Sequence, residues 1–326
     1  MKLVTFVRPS GQAAVGALSQ HGRIADLAIA ASRCSAGERD DFPASMLALV
    51  EAGDAGIETA GAALTFALER DDESISGLWH EPGTVPLLAP LPRPRSFRDF
   101  WGFEEHVKTC WQLRGEAVPD TWYELPIYYK GNRLSIIGPD EDVCWPSYTE
   151  KLDYELELGI IIGKQGRDIN ADDADSHIFG YTALNDWSAR DIQRREMACR
   201  LGPAKGKDFA TSIGPCIVTA DEVDPYDLQM IARINGEVWT DNHSGTIYHR
   251  FNQCIAHASM DETLYPGELF GSGTVGRGCG LELDRWLQPG DVVELEIDKG
   301  VVEMPSTVAG TVQEIHVAEG DKAAAG

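Results

Sequence analysis

KLDYELELGIIIG, residues 151–163, is the stretch on which the fold of this chain hinges. Side chains alternate along an extended strand, so Asp153, Glu155 and Glu157 share one face while Tyr154, Leu156 and Leu158 take the other. The run into Ile160, Ile161 and Ile162 marks the strand as buried. Burying neighbouring carboxylates costs several kcal/mol, roughly the whole net stability of a domain, unless a cation or hydrogen-bond donors neutralise them. The pattern points to a metal. A solvent-exposed polar strand face is the competing reading of the same spacing.

On the C-terminal side, residues 181–185 read as a second buried strand ending at Asp186. Ser188 and Asp191 form the pattern of a capping box, which predicts a helix from Ala189 to Arg200 that stops before Gly202-Pro203. Arg190 and Gln193 then project from one face of its first turns. LGPAKGKDF, residues 201–209, imitates a phosphate loop, but Gly202 stands too close to Gly206-Lys207 and Asp208 replaces the magnesium-binding Ser or Thr. Lys207 remains as one cation behind a glycine, able to approach a ligand closely. Further on, Asn235-Gly236 marks a hairpin, and residues 246–259 read as a helix. Gly271, Gly273 and Gly276 match G-x-G-x-x-G, but no helix follows, which leaves a glycine-rich turn beside a ligand pocket.

On the N-terminal side, FRDFWGFEEHVKTCWQLR (97–114) predicts a short amphipathic helix from Glu104. His106 lies among carboxylates that can orient its ring; an ordinary partly exposed helix with charge pairs fits equally. Tyr129, Lys130 and Arg133 can line a pocket for a planar anion or merely end a hairpin. Four prolines between Pro86 and Pro94 mark an extended boundary, 86–95. It divides a small N-terminal α/β domain, 1–85, from a main domain, 96–326.

The 326 residues carry a formal net charge of -24, and the far field of such a chain repels nucleic acid and anionic membranes alike. There is no long apolar run, and the apolar segment in MKLVTFVRPSG is too brief for a signal peptide, so a cytoplasmic location is expected. The seven cysteines are scattered and never spaced C-x-x-C, which suits reduced packing residues and indicates neither a zinc site nor a disulfide framework.

What remains is a set of oxygen ligands, Glu155, Glu157 and Asp186, suited to Mg2+, Mn2+ or Ca2+ rather than zinc. LDYELELGIIIG, LNDWSARDIQ, LGPAKGKDF, SGTVG and LQPGDVVELEI occur in an order and spacing that resembles the fumarylacetoacetate hydrolase (FAH) family over roughly residues 85–315. The resemblance implies a strand-rich α+β fold, a mixed β-sandwich roll with a small N-terminal domain, usually homodimeric. It implies Glu155, Glu157 and Asp186 as ligands of Mg2+ (or Mn2+ or Ca2+), with Asp153 a structural carboxylate behind them. His106 becomes the general base and Lys207 the cation facing developing negative charge. Arg190 and Gln193 contact the substrate's acidic end, with Arg114, Tyr129 and Thr274 as further contacts. The implied activity is hydrolytic cleavage of a carbon–carbon bond in a 2,4-diketo acid or related 1,3-diketone. Decarboxylation, isomerisation or hydration of a 2-keto acid on the same metal is the alternative, and a non-catalytic small-acid binder a third reading. The chain departs from the pattern at the partner of His106: Thr109 stands where short members carry Glu, and GTVGRGCG lacks the Glu of the long ones. Glu104, Glu105 and Asp99 are the candidates left for that place.

Overall fold

The computed structural model describes residues 1–34, 42–70, 75–298 and 306–313, the last segment as backbone only. The fold is α+β and strand-rich. A twelve-stranded mixed sheet runs from Trp79–His80 through Ile24–Asp26, Ala13–Leu18, Lys2–Val7, Thr211–Thr219, Ile178–Asn185, Leu156–Ile162, Leu269–Gly271 and Phe97–Phe100 to Tyr128–Lys130. Leu87–Leu88 and Ile136–Ile137 join it off this path. A five-stranded sheet of Glu237–His243, Gln229–Ile234, Val292–Asp298, Ser306–Gln313 and Val143–Cys144 faces it.

The acidic strand sits at the centre of the larger sheet and alternates as its sequence predicts. Tyr154, Leu156, Leu158, Ile160 and Ile162 enter a core shared with Met230, Ala232, Ile234, Val293 and Leu295 of the second sheet. Ile161, on the other face, joins Leu184, Ile213 and Leu269 under the helices of the N-terminal region. Each such side chain stabilises the sandwich by about 1.5–3 kcal/mol when fully withdrawn from water. The polar end of the strand is therefore held on a rigid platform.

Several elements differ from expectation in detail. The helix after Asp186 spans Arg190–Met197, and no side chain caps it; Ser188 Oγ donates to the Asp186 carbonyl at 3.0 Å. Asp191 instead accepts from the backbone of Glu150 and the hydroxyl of Thr149, tying the helix start to the loop before the acidic strand. The later helix is confined to Phe251–Ser259, because residues 244–246 form a separate 3-10 turn. The Asn235-Gly236 hairpin is present, with both residues at positive φ. The sheet runs across the boundary expected at 86–95, since Lys2–Val7 pairs with Thr211–Thr219. No helix among the described residues is long and apolar enough to cross a membrane.

Candidate active site

Strand register assembles the acidic cluster. Leu156 lies opposite Asn185, so Asp186, one residue beyond its strand, arrives opposite Glu155, and its N–H donates to the Glu155 carbonyl at 3.3 Å. On the other flank Gly159 pairs with Gly271, and Gly271 pairs in turn with Asp99. A Cβ on Gly271 would lie 2.3 Å from Asp99 Oδ1 and 2.8 Å from Glu157 Oε2, so only glycine lets these two acids meet here. Carboxylate oxygens of Asp99, Glu155, Glu157 and Asp186 lie within 4.8 Å of one another, all buried. Sequence reasoning anticipated three of the four. Asp99, a candidate partner for His106 in the sequence, lies against Glu157 instead.

One ammonium group faces the cluster. Lys207 Nζ donates to both Glu155 and Asp186. Its position follows from Gly206, which is pressed against Gln193 so closely that a Cβ would lie 2.6 Å from the Gln193 Cβ. Tyr129 Oη donates to Asp186 at 2.7 Å, Gly273 N–H to Glu157 at 3.1 Å and Thr274 Oγ1 to Glu157 at 3.4 Å. Arg190 bridges Asp153 (2.8 Å) and Glu155 (2.7 Å) and donates to Gln193 Oε1 at 3.1 Å. Arg114 is not brought to this group: it lies exposed beyond the helix Glu104–Gln112, stacked on Trp111.

The charges do not balance. Arg190 is shared with Asp153 and Lys207 offsets one acid, which leaves an excess of negative charge among buried groups. Burial favours the neutral form of Glu155, but Lys207 and Arg190 outweigh it and hold the group down at about 2. Glu157, farther from any cation, is pushed well up by burial and then by its acidic neighbours. Asp99 is raised in the same way, by burial and by Asp186, and shares a hydrogen bond with Glu157. Burial also raises Asp186, with Lys207 opposing. Asp99 Oδ1 and Asp186 Oδ1 are buried with no hydrogen-bond partner. Two orphaned oxygens in a hard, all-oxygen donor set fit a divalent cation, and the four carboxylates can hold one.

His106 is buried on the helix Glu104–Gln112, and its Nδ1 lies 2.8 Å from Glu282 Oε2. This supplies the carboxylate that sequence reasoning did not find. Glu104 pairs with Lys108, Glu105 lies beside Asn242 and Gly276, and Asp99 belongs to the cluster, so none of the three candidates takes the place. Its sequence signal lies in GCGLEL, with Glu282 six residues beyond Gly276 and outside GTVGRGCG. Burial alone would keep the His106 ring neutral, but nearby Cys110 and Glu282 favour the imidazolium and raise it well above the ordinary value. Glu282 is lowered, burial being outweighed by the charge of His106. Asp153 secures this pair from behind: fully buried, it accepts from the N–H groups of Gly280 (2.7 Å) and Leu281 (3.0 Å), the first turn of the short helix that carries Glu282.

A strand-rich sandwich that sets four clustered carboxylates, a donor set suited to a divalent cation, beside a buried His–carboxylate pair marks the class of fold and site. The family model for the C-terminal domain of fumarylacetoacetate (FAA) hydrolase matches residues 95–309, and the chain belongs to the FAH family. It is 32% identical over 265 residues to human "Oxaloacetate tautomerase FAHD2A, mitochondrial", covering 80% of this chain and 79% of that one. It is 30% identical over 261 residues to Arabidopsis thaliana fumarylacetoacetase, covering 63% of this chain and 62% of the other. Among solved structures, the fumarylacetoacetate hydrolase of Exiguobacterium antarcticum superposes with a TM-score of 0.73 at 26% identity, over 97% of this chain and all of that one. The strand-rich α+β roll is the fold of this family.

Proposed function

We propose that the protein hydrolyses a carbon–carbon bond in a 2,4-diketo acid or related 1,3-diketone. The observation that carries this reading is the buried His106–Glu282 pair, 2.8 Å apart, next to the carboxylate cluster. In its neutral form, with Nδ1 donating to Glu282, the ring leaves Nε2 to take a proton, and the same carboxylate that raises His106 stabilises the imidazolium that results. Hydrolysis requires such a base, because water is a poor nucleophile until it is deprotonated.

A divalent cation on Asp99, Glu155, Glu157 and Asp186, which we take to be Mg2+ with Mn2+ or Ca2+ as alternatives, would supply a Lewis acid that polarises the substrate's oxygens. The rest of the reaction falls to the chain itself. His106 Nε2 removes a proton from water, and the hydroxide adds to the distal carbonyl carbon. Collapse breaks the carbon–carbon bond and sends its electron pair into the neighbouring carbonyl as an enolate. Burial lowers Lys207, but Asp186 and Glu155 outweigh it and keep the ammonium charged, a fixed positive group toward that enolate. Tyr129 stays a protonated donor, raised by burial and by Asp186 and Asp99. Arg190 Nη2 is buried without a partner and is available to an acidic substrate group, with Gln193 and Thr274 flanking. Arg114 enters only as a contact from the protein surface. A small keto acid or diketone is thus the partner, and assembly as a homodimer is proposed on the family pattern.

A second reading, keto–enol tautomerisation, is supported by the likeness to relatives named oxaloacetate tautomerases. It uses the same base but moves a proton between carbon and oxygen without cleavage. The test is product analysis by mass on acylpyruvates and fumarylacetoacetate in 18O-labelled water with Mg2+, with the enol of oxaloacetate followed by its ultraviolet absorbance. Label in a product carboxylate, lost in His106→Ala, is expected; turnover of oxaloacetate with no cleavage of any diketone would overturn the hydrolase reading in favour of the tautomerase.

A further inference from the structure

Beside the carboxylate cluster lies a second group of different chemistry. His106 and Cys110 stand four residues apart on one helix face, with Cys110 Sγ 3.6 Å from His106 Nε2 and 4.0 Å from Nδ1. Cys279 and Glu282 stand three apart across the first turn of a second helix, Sγ 3.4 Å from Oε2. His106, Cys279 and Glu282 present ligand atoms within 4.8 Å of one another, and Glu282 is already 2.8 Å from Nδ1. H-x3-C and C-x2-E are spacings at which adjacent helical turns chelate zinc. The two halves come from segments about 170 residues apart, which is why no spacing in the sequence announces them.

We propose that His106 Nδ1, Cys279 Sγ and the Glu282 carboxylate form a site for a thiophilic divalent cation of the Zn2+ class that switches the enzyme off, with Cys110 Sγ, 4.0 Å from Nδ1, swinging in as the fourth donor. The donor set is one nitrogen, one oxygen and one sulfur, with a second sulfur close by, a mixture preferred by zinc and refused by magnesium. Ligand bonds of about 2.0–2.3 Å at tetrahedral angles place donor atoms roughly 3.4–3.8 Å apart. The Cys279–Glu282 contact, 3.4 Å, already matches, and the His106–Glu282 contact, 2.8 Å, must widen by about half an ångström to give that spacing. Each cysteine engaged releases its thiol proton to solvent. On the ring, a cation at Nδ1 displaces Glu282 as partner and leaves the ring proton on Nε2, the nitrogen that must accept a proton from water. The carboxylate site stays filled while the base is lost.

The inhibition rests on the reading of His106 as the base; the binding does not, so the two are measured separately. With the full chain held in excess Mg2+, Co2+ is titrated in as a spectroscopic stand-in and Zn2+ is titrated by calorimetry. One further equivalent should bind, with a thiolate-to-cobalt charge-transfer band in the near ultraviolet that the carboxylate site cannot produce. Cys279→Ser should abolish most of that band and weaken Zn2+ at least about tenfold, and Cys110→Ser should do so in part. Zn2+ should inhibit wild-type turnover in a manner that added Mg2+ does not relieve, and each Ser variant should need proportionately more Zn2+ for half inhibition of its own rate. Absence of the thiolate band, unchanged Zn2+ affinity in both variants, or inhibition that excess Mg2+ reverses would overturn the site. A band and tight binding without inhibition would keep the site and overturn the role of His106.

Discussion

Replacing Asp99 by Asn should change the stability of this protein in opposite directions depending on whether a divalent cation is supplied. Without one, Asp99 and Glu157 are two buried acids competing for a proton, both raised by burial and by their neighbours. The amide removes one charge and offers Glu157 an N–H donor. Relieving one poorly satisfied buried acid is worth about 1–3 kcal/mol. Unfolding a chain of 326 residues carries an entropy of about 0.7 kcal/mol/K, so the melting temperature in chelator should rise by about 1–4 °C. With Mg2+ at about 100 times its dissociation constant the wild type gains about 2.7 kcal/mol, or about 4 °C. Loss of one of four carboxylates should weaken the ion at least ~100-fold, and the variant should then gain less than about 1 °C. Thermal denaturation of both proteins in EDTA and in Mg2+ measures all four values. A variant less stable than wild type in EDTA, or one stabilised by Mg2+ as much as wild type, would refute both the charge accounting and the assignment of Asp99 as a ligand.

The pH dependence should follow the same groups. Asp99 and Glu157 are raised on folding, so the folded chain binds protons the unfolded one has lost, and stability in EDTA should fall as pH rises above about 4. Glu155 is depressed to about 2, so its contribution is present above the unfolded value and is lost as pH falls toward 2. The gain in melting temperature from Mg2+ should therefore grow between pH 5 and pH 8, and a flat profile would contradict it. Glu282→Gln should lower kcat about 10²–10⁴-fold while Mg2+ affinity by calorimetry is kept, because the variant loses the orientation of the base and not the cation site; near-wild-type kcat would rule the pair out. Asp153→Asn should cost about 3 kcal/mol by leaving buried Arg190 and the Gly280 and Leu281 N–H groups poorly paired. It should also lower kcat more than it raises KM, through the displaced Glu282 helix, and a pure KM effect would count against that positioning role.

Much of this architecture is legible along the chain because it is local. Alternation from Tyr154 to Ile162 foretells which residues enter which core, and the turn residues at Asn235-Gly236 fix a hairpin from two positions. What lies hidden depends on register between distant strands. Asp99 reaches Glu157 only because Gly271 pairs with both neighbouring strands, and neither RDF nor SGTVG carries that information alone. Glu282 reaches His106 across 176 positions on a helix of four residues, too short to leave a periodic pattern. The capping pattern at Ser188 misleads for a related reason: the loop of Thr149 and Glu150 satisfies Asp191 from outside the helix.

Continuity of the larger sheet bears on how the protein can be divided. The family match begins at residue 95, yet Thr211–Thr219 takes Lys2–Val7 as a neighbour, and the amino terminus itself donates to Thr219. A chain trimmed to the matched region would leave that strand with unsatisfied backbone donors and acceptors along an open flank, beside the apolar residues Ile213 and Ile217. Such a fragment would offer that flank to a strand from another molecule, whereas in the full chain Lys2–Val7 covers it.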